Sequence, residues 1–405
     1  MTKRLDLILY GATGFTGRQA AAYFAKHGGS GLRWGIAGRR EDALKGLAAE
    51  CGATEWIVAD AHDNEAIRAM VARTQMVVST AGPFSQYSDP VVAACVEHGA
   101  HYLDITGETP WVRSLIDRFH EAAVSKGLRI LPLCGFDSVP SDLGVWNCVR
   151  EIRRRYGSGT AGVTSSFRVK GGLNGGTVAS ALAMAESGQG RALRDPILLN
   201  PPEARNDALR RQCRDDLSIH FDPTRQRWLL PFIMAAINTR VVRRSAALFA
   251  QAGNPYGETF QYQEYGESQG RLGAYLQGSA MMMFDRALGK KWGRSMIRRL
   301  APKPGTGPSL ATREAGFVRQ HFIAQADTGE VLSMGLKCSG DPGNRVTVLC
   351  LCEAALTMLT CDHLPAVAGL LTPATGLGEA YFKRLQQAGF STEITPLSES
   401  KEMTP

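Results

Sequence analysis

No run of 18 or more consecutive apolar residues occurs in the 405-residue sequence, so a membrane-spanning helix is not expected. The most apolar stretches, Leu229 to Ile237 and Leu272 to Phe284, are short or broken by Gly, Gln and Ser. The opening Met1-Thr2-Lys3-Arg4 leads directly into Leu5 to Tyr10, too short for a secretory core and followed by no small-residue cleavage site. A cytoplasmic protein is therefore expected. The nine cysteines include no C-x-x-C pair, which argues against a disulfide framework and against a metal site. Cys350 and Cys352 fall in the apolar run Val346 to Leu359, where packing accounts for them. The zinc-binding H-E-x-x-H and a Tyr-x-x-x-Lys proton relay are also missing. A metallohydrolase is thereby disfavoured and the short-chain dehydrogenase reading demoted.

One segment lacks charge of one sign. Between Asp285 and Glu314 there is no acidic residue, while Arg286, Lys290, Lys291, Arg294, Arg298, Arg299, Lys303 and Arg313 are basic, within a net charge of +8. Segment 286–313 reads either as a solvated helix face or as a dock for an anionic membrane surface or an acidic carrier protein. No nucleic-acid motif accompanies the charge, so nucleic acid is not an expected partner.

What is present is alternation. Short β-rich runs at 5–10, 33–37, 55–59, 76–80, 101–104 and 128–134 alternate with helical runs through residue 126. That rhythm requires a parallel sheet with right-handed crossovers. After Pro140 the texture changes. Gly-Gly pairs, the Arg-, Asp- and Pro-rich stretch 191–227 and strand-like runs at Phe317–Ser339 and Arg345–Cys352 point to an α+β unit. Thr372-Pro373 opens a last helix over Leu377 to Ala388, and the tail from about Leu397 is expected to fray. The expected fold is α/β, an N-terminal Rossmann-type doubly wound sheet with an inserted α+β substrate domain. The boundaries are 1–150, 151–365 and a segment 366–405 that returns to the first domain.

Gly11-Ala12-Thr13-Gly14-Phe15-Thr16-Gly17 joins the first strand to the first helix. The first glycine suits a tight turn, the second a close backbone approach to a pyrophosphate, and the third close packing of helix on strand. The second strand ends in Arg39-Arg40 where an NAD site places a carboxylate. Two guanidiniums suit a ribose 2′-phosphate, so NADP(H) is the expected cofactor. Asp60 ends the third strand and either binds an adenine amino group or caps the helix starting near Asn64. Thr80-Ala81-Gly82-Pro83-Phe84 ends the fourth strand and would let backbone approach the ribose and nicotinamide.

Two clusters lie where catalysis would occur. Tyr102, Asp104 and Glu108 follow the fifth strand, and Asp137 and Ser138 follow the sixth, both at carboxyl ends of parallel strands. Hydride transfer needs positioning, a donor near the oxygen that gains charge, and a proton source. These five residues are the candidates. Ser141 and Asp142 serve equally well as caps of a helix running to Arg150.

These residues resemble the saccharopine dehydrogenase-like oxidoreductases, and within them the mycobacterial-type trans-acting enoyl reductases. The resemblance runs nearly the whole length. It rests on Leu9 to Gly17, Ala37 to Arg39, Ala81 to Phe84, Asp104 to Glu108 and Cys134 to Asp142, then on Lys170 to Thr177, Ile237 to Ser245, Pro302 to Pro308 and Leu371 to Pro373. It implies an NADP(H)-dependent enoyl reductase acting on carrier-bound polyketide or fatty acyl chains in lipid or glycolipid biosynthesis. Leu229–Ile237 and Ala280–Phe284 would either line an acyl groove or pack the core. The basic segment would face a carrier protein or the inner face of the plasma membrane, and a homodimer is compatible with the chain. Two other readings stay open. One is a saccharopine-reductase-like imine or carbonyl reductase, with Arg168, Lys170 and Arg240 clamping an amino-acid-type substrate. The other is a non-catalytic NADP-binding scaffold or sensor.

Overall fold

The alternating runs of the first third fold as β1 (Leu7–Tyr10), β2 (Trp34–Gly38), β3 (Glu55–Val58), β4 (Met76–Ser79), β5 (His101–Asp104) and β6 (Arg129–Leu131) in a computed structural model. The structure describes residues 5–172, 174–303 and 305–397. The expected fraying tail lies largely beyond them, as do Leu173 and Pro304 of the quoted motifs.

Later strands are β7 (Thr160–Lys170), β8 (His220–Asp222), β9 (Arg227–Pro231), β10 (Gln261–Ser268), β11 (Phe317–Ala326), β12 (Val331–Ser339), β13 (Gly369–Leu370) and β14 (Ser391–Leu397). The first sheet runs β13-β6-β5-β4-β1-β2-β3, every pair parallel. Strand order reverses between β1 and β4, so loops after those two strands flank the crevice where such sheets bind ligands. All four residues of β1 are buried. Leu7 and Leu9 enter one apolar cluster and Ile8 and Tyr10 another, as a sheet covered by helices on both faces demands.

The second sheet runs β14-β12-β11-β7-β10-β9-β8, antiparallel except for β10 beside β7. Helix Val139–Tyr156 leaves the end of β6 and packs on the inner face of this sheet, so Leu143, Val149, Phe322 and Met334 share a cluster with Leu7 and Leu9. One core thus connects the two sheets and fixes how the ends of β4, β5 and β6 face the second unit.

Two local expectations are corrected. Residues 345–352 are not a strand, because a short π-turn over Pro342–Val346 leads into helix Thr347–Thr360. Val346, Thr347 and Val348 favour strands, but here nearly every side is buried. Such burial erases the helical stripe that a sequence reading relies on. This helix already lies against helix Phe15–His27, with the Tyr23 hydroxyl donating to Glu353 Oε1 at 2.6 Å. The chain therefore regains the first sheet's side before residue 366. It also leaves again: after β13 and helix Pro373–Gln387, β14 pairs with β12 of the second sheet.

Candidate active site

The loop after β1 has the geometry of a dinucleotide cradle. Gly11 has φ of 79°, and a Cβ there would sit 2.9 Å from the Ala81 nitrogen. A Cβ on Gly17 would lie 2.3 Å from the Gly11 carbonyl oxygen, so only glycine lets the helix start this close to the turn. Helix Phe15–His27 begins at Gly14 with no side-chain cap and no acid in its first turn. Its leading N–H groups and the positive end of its dipole are left for an anion.

Arg39 and Arg40 stand exposed at the end of β2, and among the described residues neither pairs with a carboxylate. Arg40 donates to the Thr13 carbonyl at 3.2 Å, which brings one guanidinium to the rim of the glycine loop. Glu41 is held by Lys45 at 2.8 Å in the following helix. Asp60 does not cap helix Asn64–Val71, because Asp63 does so through the Glu65 and Ala66 nitrogens. Asp60 accepts one bond, from the His62 nitrogen at 2.9 Å, and stands near the Tyr10 phenol. Burial, then the Asp60 charge, pushes that phenol up to about 12. The helix-cap alternative for Asp60 is thereby removed. Uncapped helix, glycine cradle and two guanidiniums without a carboxylate partner together fit the pyrophosphate and 2′-phosphate of NADP(H).

At the end of β4, Thr80 Oγ1 donates to the Tyr10 and Gly11 carbonyls at 3.1 and 3.2 Å, tying the two switch-point loops together. Ala81, Gly82 and Pro83 are half-buried and Phe84 is buried. Glu108 reaches this turn from beyond β5. Its carboxylate accepts from the Phe84 and Ser85 nitrogens at 2.8 and 3.0 Å and from the Ser180 hydroxyl at 2.9 Å. It holds the Gly82-Pro83 turn and links it to helix Gly175–Glu186.

The five candidates for chemistry separate into two kinds. Asp104 is fully buried and accepts from the Tyr102 hydroxyl at 2.9 Å, the Thr106 nitrogen at 2.9 Å and the Leu133 nitrogen at 3.1 Å. Burial pushes its carboxyl up to about 7 against those three donors. Tyr102, Asp104 and Glu108 thus have their polar atoms committed to strand ends and turns. Asp137 and Ser138 do not. The half-buried Asp137 carboxyl makes no hydrogen bond or ion pair among the described residues, and burial alone pushes it up to about 6. The Ser138 hydroxyl is buried without a partner, although its residue sits at the N-cap of helix Val139–Tyr156. Buried polar groups are rarely left so, which makes this hydroxyl a candidate for chemistry.

Ser141 and Asp142 are not caps, since the helix already begins at Val139. Asp142 accepts from the Ser245 hydroxyl and from the Ala374 nitrogen at 2.8 Å, pinning three helices, and burial pushes it up to about 7. Ser141 donates to Glu264 Oε2 at 2.7 Å. Glu264 also accepts from Tyr262 and Asn238, each at 2.6 Å, and is pushed up to about 7 by burial. This buried carboxyl lies close enough to Asp137 to feel its charge, yet the sequence reading missed it. A signal exists: Tyr262 and Glu264 share one face of a strand otherwise turned to the core.

Arg168, Lys170 and Arg240 do not converge. Arg240 is buried and donates to Asp215 and to the Leu193 carbonyl at 2.8 Å. Arg168 lines an open groove of about 380 Å³ with Arg227, Arg319 and Lys337. That groove is on the outer face of the second sheet, whereas Ser165 and Gln320 point to the inner face and Ser141. Lys170 is exposed at the end of β7. Ala280, Met282, Met283 and Phe284 are exposed and join neither groove nor core.

Comparisons agree with this geometry. Residues 7–131 match the saccharopine dehydrogenase NADP-binding domain family. A putative trans-acting enoyl reductase of Mycobacterium tuberculosis is 37% identical, covering 98% of this chain and 99% of its own. A trans-acting enoyl reductase of Mycobacterium leprae is 35% identical over the same shares. Apo saccharopine dehydrogenase (L-Glu forming) from Saccharomyces cerevisiae shares the fold at 14% identity and a TM-score of 0.56, covering 96% of this chain and 100% of that one. With an NADP(H) cradle at its first glycine loop and full-length likeness to these reductases, the chain belongs to the trans-acting enoyl reductases of the saccharopine dehydrogenase-like oxidoreductases.

Proposed function

We propose that the protein reduces α,β-unsaturated acyl thioesters presented by a separate carrier protein, with Asp137 and Ser138 as its catalytic residues. NADPH, when bound, supplies the hydride. The chain must then hold the thioester oxygen as charge gathers on it and return a proton to the α-carbon. Ser138, with a buried hydroxyl and no partner, is the donor for that oxygen. Asp137, pushed up to about 6, exchanges a proton within reach of neutral pH and is the source for the carbon. Tyr102, Asp104 and Glu108 act through position, fixing the strand ends around the crevice.

The observation that carries this reading is the unpartnered Asp137–Ser138 pair at the same sheet edge as the uncapped glycine-loop helix. The amino-acid alternative loses its clamp, because Arg240 is already engaged by Asp215. The substrate is expected to be a polyketide or fatty acyl chain of lipid biosynthesis, met in the cytoplasm. Segment 286–313 would face an anionic surface at the inner side of the plasma membrane or on the carrier. No helix among the described residues is long and apolar enough to cross a membrane.

Fluorescence titration with NADPH and NADH tests the cofactor site, using Arg39→Ala/Arg40→Ala beside the native protein. Tight NADPH binding should weaken about 10- to 100-fold in the variant, with NADH little changed. NADPH oxidation by short enoyl thioesters then tests the reaction. A protein that binds NADPH and oxidises it with none of them would be the non-catalytic scaffold instead.

A further inference from the structure

Helices Arg271–Leu288 and Lys291–Leu300 form a hairpin through Gly289 and Lys290. Its inward positions are small: Ala274, Gly278 and Gly293 are buried. Its outward positions are large and apolar. Leu272 is 73% exposed, Met283 69%, Trp292 66% and Leu300 78%. On the second helix Trp292, Met296 and Leu300 recur every four residues, so they share one face, and Leu272 and Leu276 do so on the first. Isolated apolar residues on a surface need no explanation, but two aligned helices carrying such rows do.

Charge decides what covers them. Arg286, Lys290, Lys291 and Arg299 surround the apolar rows, are exposed, and form no ion pair among the described residues. Arg298 is exposed as well but pairs with Glu186 at 2.6 Å. A second copy seated here would oppose the same cations, with no acid from 286 to 313 to offset them. An acidic carrier would meet the cations but would need a cleft shaped to these projecting side chains. The headgroup boundary of an anionic bilayer satisfies both needs, taking apolar side chains without a fixed shape and attracting the cations around them.

The hairpin also stands beside the site. Arg298 holds it to helix Gly175–Glu186, whose Ser180 donates to Glu108 at the Gly82-Pro83 turn. Beyond Leu300 the chain runs to Gly307, where a Cβ would lie 2.4 Å from the Phe15 ring at the start of the dinucleotide helix. We propose that hairpin 271–300 inserts its apolar face into the headgroup region of an anionic lipid bilayer, so that the site takes its acyl chain at the membrane surface. This deepens the acyl-substrate reading and rests on it for the second clause alone.

Vesicle flotation tests it. The full chain is mixed with phosphatidylcholine vesicles with and without phosphatidylglycerol, beside Leu276→Glu/Met283→Glu and Lys290→Glu/Lys291→Glu. Native protein should float with the anionic vesicles, with the Trp292 contribution to its emission shifted to the blue, judged against Trp292→Phe. Each double variant should lose about 10-fold or more in binding. NADPH titration of the variants should match the native protein, which separates lost docking from misfolding. Absence of native binding, or binding retained by both variants, overturns the proposal. So does self-association, or binding to an acidic carrier protein, that the variants lose while vesicles are ignored. Oxidation of NADPH with a water-soluble enoyl thioester needs no vesicle, so failure of the reductase reading would show separately.

Discussion

The turns after β5 and β6 carry the same kinds of residue and do opposite things. Asp104 and Glu108 each accept three hydrogen bonds and join strand ends and turns into one frame. The Asp137 carboxyl and the Ser138 hydroxyl, one strand over, accept none. Burial raises both aspartates, so a shifted titration does not distinguish structure from chemistry. Hydrogen-bond completeness does: three donors reach the Asp104 carboxyl and none the Asp137 carboxyl, while the buried Ser138 hydroxyl is left unmet at a cost of about 1–3 kcal/mol. Within the single motif Gly135 to Asp142 the same contrast repeats, with Asp142 engaged and Asp137 free.

The strongest way to break this contrast is Asp104→Ala. It strands the Tyr102 hydroxyl and the Thr106 and Leu133 nitrogens, and should cost roughly 3–5 kcal/mol in urea unfolding. A loss below about 1 kcal/mol would show that the frame does not depend on it. Asp137→Ala should do the reverse. Enoyl thioester reduction should fall about 100-fold in kcat/KM, close to 2.7 kcal/mol, while the unfolding midpoint holds or rises. Equal losses of stability in the two variants would erase the distinction.

Ser138→Ala should sit between, with about a 10-fold fall in kcat, NADPH affinity unchanged and the midpoint held. Smallest is the pH effect. Asp104, Asp142 and Glu264 are all raised to about 7, so the folded chain keeps protons that the unfolded chain releases. That stability is full below about pH 4 and is lost as pH rises through 7. The melting temperature should therefore be lower at pH 8 than at pH 5, and Glu264→Gln should flatten the slope. A Tm that rises over this interval would contradict the raised values.

The cradle was legible because it is local. Glycine spacing, a strand before it and a helix after it determine where backbone N–H groups point, and Arg39 and Arg40 follow directly from the end of β2. The site opposite was legible only as a set of candidates. Asp63 rather than Asp60 caps its helix because the first helical turn begins one residue after Asp63 and four after the strand-end carboxylate, a boundary finer than periodicity resolves. Helix Thr347–Thr360 was hidden because burial on nearly every side leaves no stripe, and β-branched residues at its start imitate a strand. Glu264 was hidden because its partners Ser141 and Asn238 come from distant helices.

Residue types and their spacing by themselves determined the parallel sheet, the dinucleotide loop and its preference for a 2′-phosphate, since each depends on neighbours within one βα unit. Tertiary structure alone decided which carboxyls are frame and which are free, and which apolar residues of 271–300 remain in the open. A carboxylate's role depends on how many donors reach it, and an apolar side chain's role on what packs over it. Both are set by segments far away in the chain, as with Asp104 and Leu133 across two strand ends, or Glu186 and Arg298 across two helices.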